Sequence, residues 1–113
     1  SCGVINIKIG RVGGLTEAIR IHDLCKANHI PVWCGGMLEA GIGRAHNVAL
    51  TSLSQFILPG DTAGSSHYWY EDIIDPEVKV KDGYIEVPQS VGIGFKPNMA
   101  VIDKLTISKE IYQ

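Results

Sequence analysis

The chain has 113 residues, of which 45% are hydrophobic and 19% are charged, with a formal net charge of -2 at pH 7. This balance is typical of a globular domain, and the lack of a basic cluster predicts a small-molecule partner, with no nucleic acid and no membrane. Because no apolar run approaches the ~20 residues of a membrane span and no signal-peptide pattern opens the sequence, we expect a cytoplasmic protein.

The first predicted unit is a strand followed by a helix. Val4 to Ile9 is rich in β-branched residues and predicts the strand. Helical spacing begins at Leu15 and ends in the stretch from Asn28 to Pro31. The apolar stripe of this helix consists of Leu15, Ala18, Ile19, His22 and Cys25.

The same unit repeats along the chain. Val32-Trp33-Cys34 predicts a second strand, and Ile42, Ala45, Ala49 and Leu53 have the spacing of a second helix. Phe56-Ile57-Leu58 predicts a third strand, broken by Pro59-Gly60. Strands in such a β-α-β-α-β array are parallel. Since a closed β/α barrel usually needs about 250 residues, we expect further strands on the N-terminal side.

The last third of the chain has a different character, so we divide the sequence into residues 1–72 and 73–113. Val78-Lys79-Val80 and Tyr84 to Val87 flank Asp82-Gly83, the dipeptide that favours a tight hairpin turn. A loop containing Gly92 and Gly94 should follow. The stretch from Asn98 to Leu105 predicts a short helix.

Cysteine and histidine spacing predicts neither a disulfide framework nor a metal site. The three cysteines form no CxxC pair, and the four histidines form no HExxH motif. We therefore expect buried thiols and structural histidines.

Lys8 is the strongest candidate for a catalytic residue. Alternation along the first strand places Ile5, Ile7 and Ile9 on one face and Lys8 on the other, near the carboxyl end of the strand. Active sites of β/α barrels lie at that end. A lysine between isoleucines is partly desolvated, which favours its neutral form and suits a base. The alternative is a lysine at the rim, in water or paired with a carboxylate.

Other candidates follow the strands in equivalent places. The loop Gly10 to Gly14 precedes a helix and could turn the chain or hold an anion. Gly35, Gly36 and Met37 follow the second strand and should border the same mouth. Glu39 is either a site residue or a helix cap. Asp61, after the third strand, is either a site residue or a turn residue.

Three segments in this order resemble the last barrel strands of the enolase superfamily. They are the segment from Asn6 to Gly14, the segment from Pro31 to Glu39, and Leu58 to Asp61. Within the muconate-lactonizing subgroup, they are most similar to the branch of o-succinylbenzoate synthases and N-acylamino acid racemases. The resemblance covers nearly all of the chain. It implies the C-terminal portion of a (β/α)7β barrel, with about three parallel β/α units, plus a C-terminal segment that belongs to an α+β capping domain.

The resemblance also implies a reaction. Lys8 matches the lysine at the end of the sixth barrel strand, which in the synthases of menaquinone biosynthesis stabilises an enediolate while another lysine removes the proton α to a carboxylate and assists dehydration. In the racemases both lysines act on the α-carbon. Gly35, Gly36 and Met37 match the segment at the acyl or succinyl end of the substrate. Glu39 and Asp61 receive no firm role.

The family's metal lies outside this sequence. Mg²⁺ or Mn²⁺ stabilises the dianion, and its ligands and the KxK base precede the matched region. We therefore expect a carboxylate substrate and a homo-oligomeric full-length enzyme. The isolated 113 residues should be inactive and should self-associate through uncovered strand edges.

Two other functions fit the residues. Lys8 could be the Schiff-base nucleophile of an aldolase-like barrel, because a desolvated lysine at a strand end also suits that role. The chain could also be a non-catalytic assembly domain.

Overall fold

The computed structural model describes residues 2–112, which form a mixed α/β fold of helices and two small sheets. Its elements, in chain order, are β1 (Ile5–Ile7), α1 (Ile9–Val12), α2 (Leu15–Ala27), β2 (Val32–Cys34), α3 (Gly41–Thr51), a 3-10 turn (Ser65–His67), β3 (Ile74–Asp75), β4 (Lys96–Pro97) and α4 (Met99–Leu105).

The two predicted N-terminal strands pair in parallel, as expected. Ile5 of β1 lies opposite Val32 of β2, and Ile7 lies opposite Cys34. Ile7 is fully buried and packs in one hydrophobic cluster with Ala18 and Cys25 of α2. The branched face of β1 therefore covers α2, and the face that carries Lys8 points the other way.

The loop expected from Gly10 to Gly14 is partly wrong, because a short helix, α1, starts directly after Lys8. The carbonyl of Lys8 accepts hydrogen bonds from the amides of Arg11 and Val12, at 2.9 and 3.2 Å. Gly13 ends this helix with φ 94°, a conformation that residues other than glycine strongly disfavour. In α2 the apolar stripe is as predicted except for Ile19, which is exposed.

The third predicted strand, Phe56 to Leu58, is wrong as a regular strand. Only an isolated parallel bridge joins Val32 to Phe56. The amide of Phe56 donates to the Leu53 carbonyl and that of Ile57 to the Gln55 carbonyl, so neither is available to a strand ladder. The bridge is nevertheless parallel, like the pairing of β1 with β2, which is the predicted orientation.

The predicted hairpin is reduced to its turn. Lys81 and Tyr84 exchange two backbone hydrogen bonds around Asp82-Gly83, and both turn residues have positive φ. The flanking strands do not form, because the backbone of Val78 bonds to Ser65 instead, through the Ser65 amide and hydroxyl.

The last third of the chain packs on α3. Val48 of α3 shares a second hydrophobic cluster with Ile74 and Val78. β3 pairs with β4 in antiparallel register, a contact the sequence pattern did not predict. The predicted short helix is present as α4, and the Asn98 side chain accepts from the Val101 amide as its cap.

The described surface is large for the mass of the chain. It measures 8037 Å² for 12.3 kDa, whereas a compact monomer of this mass exposes about 6,100 Å². None of the helices in the described range is both long and apolar enough to cross a bilayer.

Candidate active site

Lys8 lies at the carboxyl end of β1, where two polar interactions hold its amine. The Nζ donates to the carbonyl oxygen of Gly36 at 2.9 Å and lies 3.6 Å from the thioether sulfur of Met37. Lys8 is half-buried, and no carboxylate pairs with it among residues 2–112. The structure thus brings Lys8, Gly36 and Met37 together at the ends of the two paired strands.

The two glycines after β2 are required by close packing. A Cβ atom on Gly35 would overlap the side-chain amide of Asn6 and would lie 2.8 Å from Cε of Lys8. A Cβ atom on Gly36 would overlap the backbone carbonyl of Asp61. Gly35 therefore makes room for the polar face of β1, and Gly36 makes room for the third segment.

Glu39 braces the loop that follows Gly36. Its carboxylate accepts from the Met37 amide at 2.8 Å and from the side-chain amide of Asn47 at 3.1 Å. The residue that caps α3 is Ala40, so the helix-cap alternative for Glu39 is wrong. Its carboxylate is occupied by bonds that shape the loop.

Asp61 contributes its backbone to the site. Its amide donates to the Cys34 carbonyl at 2.9 Å, which fixes the start of the third loop against the end of β2. Its side chain is exposed and accepts no hydrogen bond from the described residues. The carboxylate is thus open to solvent at the edge of the site.

Cys34 is a fully buried thiol among these charges. Burial, followed by the negative charge of Glu39, raises the pKa of Cys34 to about 11. Asp61 acts in the same direction, whereas Thr62 and Lys8 oppose it. Because a thiol with this pKa stays protonated at neutral pH, Cys34 is not a nucleophile.

Sequence reasoning missed a buried ion pair next to this loop. Arg44 of α3 and Asp72 are 2% and 3% exposed, and their side chains approach to 3.2 Å. An arginine within a helix of small and apolar residues was the available signal, since arginine is rarely buried without a partner.

The described residues provide no metal centre. No group of three His, Cys, Asp or Glu side chains converges within residues 2–112. These residues therefore do not fit the Mg²⁺ or Mn²⁺ site that the enolase superfamily resemblance implies.

The family model for enolase C-terminal domain-like proteins matches residues 1–101. An o-succinylbenzoate synthase of Geobacillus kaustophilus is 63% identical over 106 residues, which are 94% of this chain and 28% of that protein. An N-succinylamino acid racemase of an Amycolatopsis species is 51% identical over 106 residues, with the same two coverages. The chain thus spans less than a third of these relatives.

Solved structures agree with the sequence matches. An enolase superfamily member from Listeria innocua superposes with a TM-score of 0.90 at 46% identity, covering 95% of this chain and 29% of that one. A dipeptide epimerase of Cytophaga hutchinsonii, complexed with Mg and the dipeptide D-Ala-L-Val, superposes with a TM-score of 0.80 at 26% identity, covering 93% and 28%.

Proposed function

This chain belongs to the enolase C-terminal domain-like family, and we propose that it is the C-terminal portion of an o-succinylbenzoate synthase of menaquinone biosynthesis. The observation that carries the proposal is the amine of Lys8, held at the carboxyl end of β1 on the face away from the hydrophobic core. The 63% identity to a synthase supports the choice of reaction.

We also propose that residues 1–72 form consecutive parts of a (β/α)7β barrel and that residues 73–113 return to a capping domain. The parallel register of β1, β2 and the Phe56 bridge supports the first part. The surplus of exposed surface supports the presence of covering structure in the full-length protein. Ile107, Ile111 and Tyr112 are strongly exposed near the C-terminus, which supports packing of this tail against another region.

Lys8 would stabilise negative charge on the substrate. A protonated lysine has three N–H donors, and Gly36 and Met37 account for two of them. The third remains for an oxygen of the enediolate that develops when the proton α to the carboxylate is lost. A fixed donor at that position lowers the barrier, because the charge is greater in the transition state than in the substrate.

The residues that follow β2 border the amine of Lys8. We propose that Gly35, Gly36 and Met37 line the succinyl end of the substrate, because Gly36 and Met37 contact the Lys8 amine and Gly35 packs directly beside the Lys8 side chain. We assign Glu39 the shaping of this loop and Asp61 no chemical step.

Enolase superfamily enzymes generally use Mg²⁺, and the metal would supply charge stabilisation to the carboxylate of the substrate. We propose that its ligands belong to the part of the relatives that this chain does not cover, since the described residues offer no suitable cluster. The full-length enzyme is proposed to be a cytoplasmic homo-oligomer.

N-succinylamino acid racemase is the second candidate, favoured by the 51% identity to the Amycolatopsis enzyme. In a racemase, neutral Lys8 would take or return a proton at one face of the α-carbon. The full-length protein, assayed with the synthase substrate and with an N-succinylamino acid, separates the two. A higher kcat/KM for formation of o-succinylbenzoate than for racemisation supports the synthase. A higher kcat/KM for racemisation supports the racemase instead.

A further inference from the structure

The buried pair of Arg44 and Asp72 lies outside the chemistry described above, yet it contacts the loop that holds Lys8. Arg44 Nη1 lies 3.2 Å from Asp72 Oδ2, and Arg44 Nη2 donates to the Glu39 carbonyl at 3.0 Å. The guanidinium also lies 5.6 Å from the ring centre of Tyr68. Its position is therefore fixed from several sides.

Asp72 is fixed equally well. Its Oδ1 accepts from the amide of Gly41, the first residue of α3, and from the amide of Ile73, both at 2.7 Å. A Cβ atom on Gly41 would lie 2.7 Å from the same oxygen, so the backbone approaches the carboxylate as closely as glycine allows. The pair thus joins the start of α3 to the segment that immediately precedes β3.

Trp69 adds a second donor to the same carbonyl. Its indole Nε1 donates to the Glu39 carbonyl at 3.1 Å, beside the bond from Arg44. This oxygen consequently accepts two hydrogen bonds, one from a buried cation and one from an indole that is 41% exposed.

A continuous series of contacts connects this carbonyl to the amine. The Glu39 carboxylate accepts from the Met37 amide at 2.8 Å. Met37 follows Gly36, whose carbonyl accepts from Lys8 Nζ at 2.9 Å. A shift of Glu39 would therefore move both groups that hold the Lys8 amine.

We propose that Arg44, Asp72 and Trp69 are positioning residues that clamp the Glu39 carbonyl and thereby set the location of the Lys8 amine. The inference deepens the proposed function, because it assigns a device that orients the same lysine. A buried ion pair adds little net stability compared with apolar residues of equal volume, so its contribution is expected mainly in geometry.

Chemical labelling of Lys8 tests the clamp without requiring catalysis. The full-length protein is treated briefly with an amine-acylating ester, and acylation of individual lysines is followed by peptide mass spectrometry. Trp69→Phe removes one donor and keeps an aromatic ring at a partly exposed position. Arg44→Lys keeps the charge beside Asp72 but removes the forked guanidinium. Tyr70→Phe, at a fully exposed side chain, is the matched control.

We expect Trp69→Phe and Arg44→Lys each to change the acylation rate of Lys8 about threefold to tenfold, the ratio for one hydrogen bond of ordinary strength. Lys104, which pairs with Glu71 on the surface, should react at an unchanged rate in both variants. In active protein, kcat should fall by a similar factor with KM nearly unchanged. An unchanged Lys8 rate in folded Trp69→Phe overturns the clamp, as does a change shared by Lys104.

The two proposals fail separately. A full-length protein without synthase activity, in which the variants still alter the labelling of Lys8, refutes the proposed reaction and supports the clamp. Thermal melting of each variant identifies unfolding, which would raise the labelling of all lysines together.

Discussion

The amine of Lys8 donates to the carbonyl of Gly36 at 2.9 Å and so joins the carboxyl ends of the two paired strands. The carbonyl oxygen carries no formal charge, and no carboxylate pairs with Lys8 among residues 2–112. Such an amine can meet an anionic substrate directly, because no neighbouring acid competes for it. This relationship connects the fold to the proposed chemistry.

The glycine pair after β2 gives the first prediction. Gly36→Ala should lower the free energy of unfolding by about 1–3 kcal/mol, because its Cβ overlaps the fixed backbone of Asp61. Gly35→Ala should instead displace the flexible side chains of Asn6 and Lys8. It should therefore lower kcat, with a smaller loss of unfolding free energy than Gly36→Ala causes. Urea denaturation and initial rates of the full-length protein measure the two effects.

Gly10→Ala is the control for both substitutions. Gly10 lies in α1, and a Cβ atom there meets no atom within 4 Å. The free energy of unfolding of the Gly10→Ala variant should stay the same or rise by up to about 1 kcal/mol. Equal effects of all three substitutions would contradict the close packing of Gly35 and Gly36.

Cys34 gives a prediction of pH dependence. Its folded pKa of about 11 exceeds the ordinary value of 9.0, chiefly because the thiol is buried. Between these values the unfolded thiol loses its proton while the folded thiol keeps it, so stability falls as pH rises from about 9 to 11. The loss attributable to Cys34 should be about 2 kcal/mol.

Urea midpoints at pH 8, 9, 10 and 11 measure this loss. A Cys34→Ala variant should show a shallower decline than the parent protein, although its absolute stability is lower. Parallel declines in the two proteins would show that Cys34 does not cause the effect.

The isolated 113-residue chain should self-associate. Its surface of 8037 Å² exceeds the value for a compact monomer by roughly 1,900 Å², which is comparable to a protein–protein interface. Light scattering should therefore report species larger than 12.3 kDa. A monodisperse monomer with a cooperative thermal transition would contradict this account of the surface.

The sequence predicted the elements that local pattern determines. β2 occupies the predicted residues, and α2 begins at Leu15 and ends before Asn28, because apolar periodicity and breakers mark both ends. Phe56 to Leu58 also has a strand pattern, but tight backbone turns use its amides. A short apolar run does not determine whether its backbone amides bond to a neighbouring strand or within a local turn.

The candidate site was predictable to a similar extent. Lys8, Gly36 and Met37 meet because parallel strands bring their carboxyl ends to one edge. Arg44 and Asp72 are also 28 positions apart, but Asp72 lies outside the elements of the predicted β-α repeat, so no strand or helix pattern pairs the two residues. Their burial depends on how the C-terminal third folds over α3, which is a tertiary property.

The aldolase-like alternative for Lys8 predicts a covalent adduct. Under the enolase-type proposal, borohydride treatment with a carbonyl substrate should leave the mass of the peptide that contains Lys8 unchanged. A stable reduced adduct on Lys8 would establish Schiff-base chemistry and remove the synthase assignment.

Replacement of Lys8 in the full-length protein tests the central claim most directly. Lys8→Ala should lower kcat for o-succinylbenzoate formation about 10²–10³-fold, the effect of removing a donor to a developing oxyanion, and should abolish any racemisation. Mg²⁺ affinity, measured by calorimetric titration, should remain within about twofold, since the lysine ligates no metal. Unchanged turnover, or loss of Mg²⁺ binding together with turnover, would show that Lys8 has a structural role.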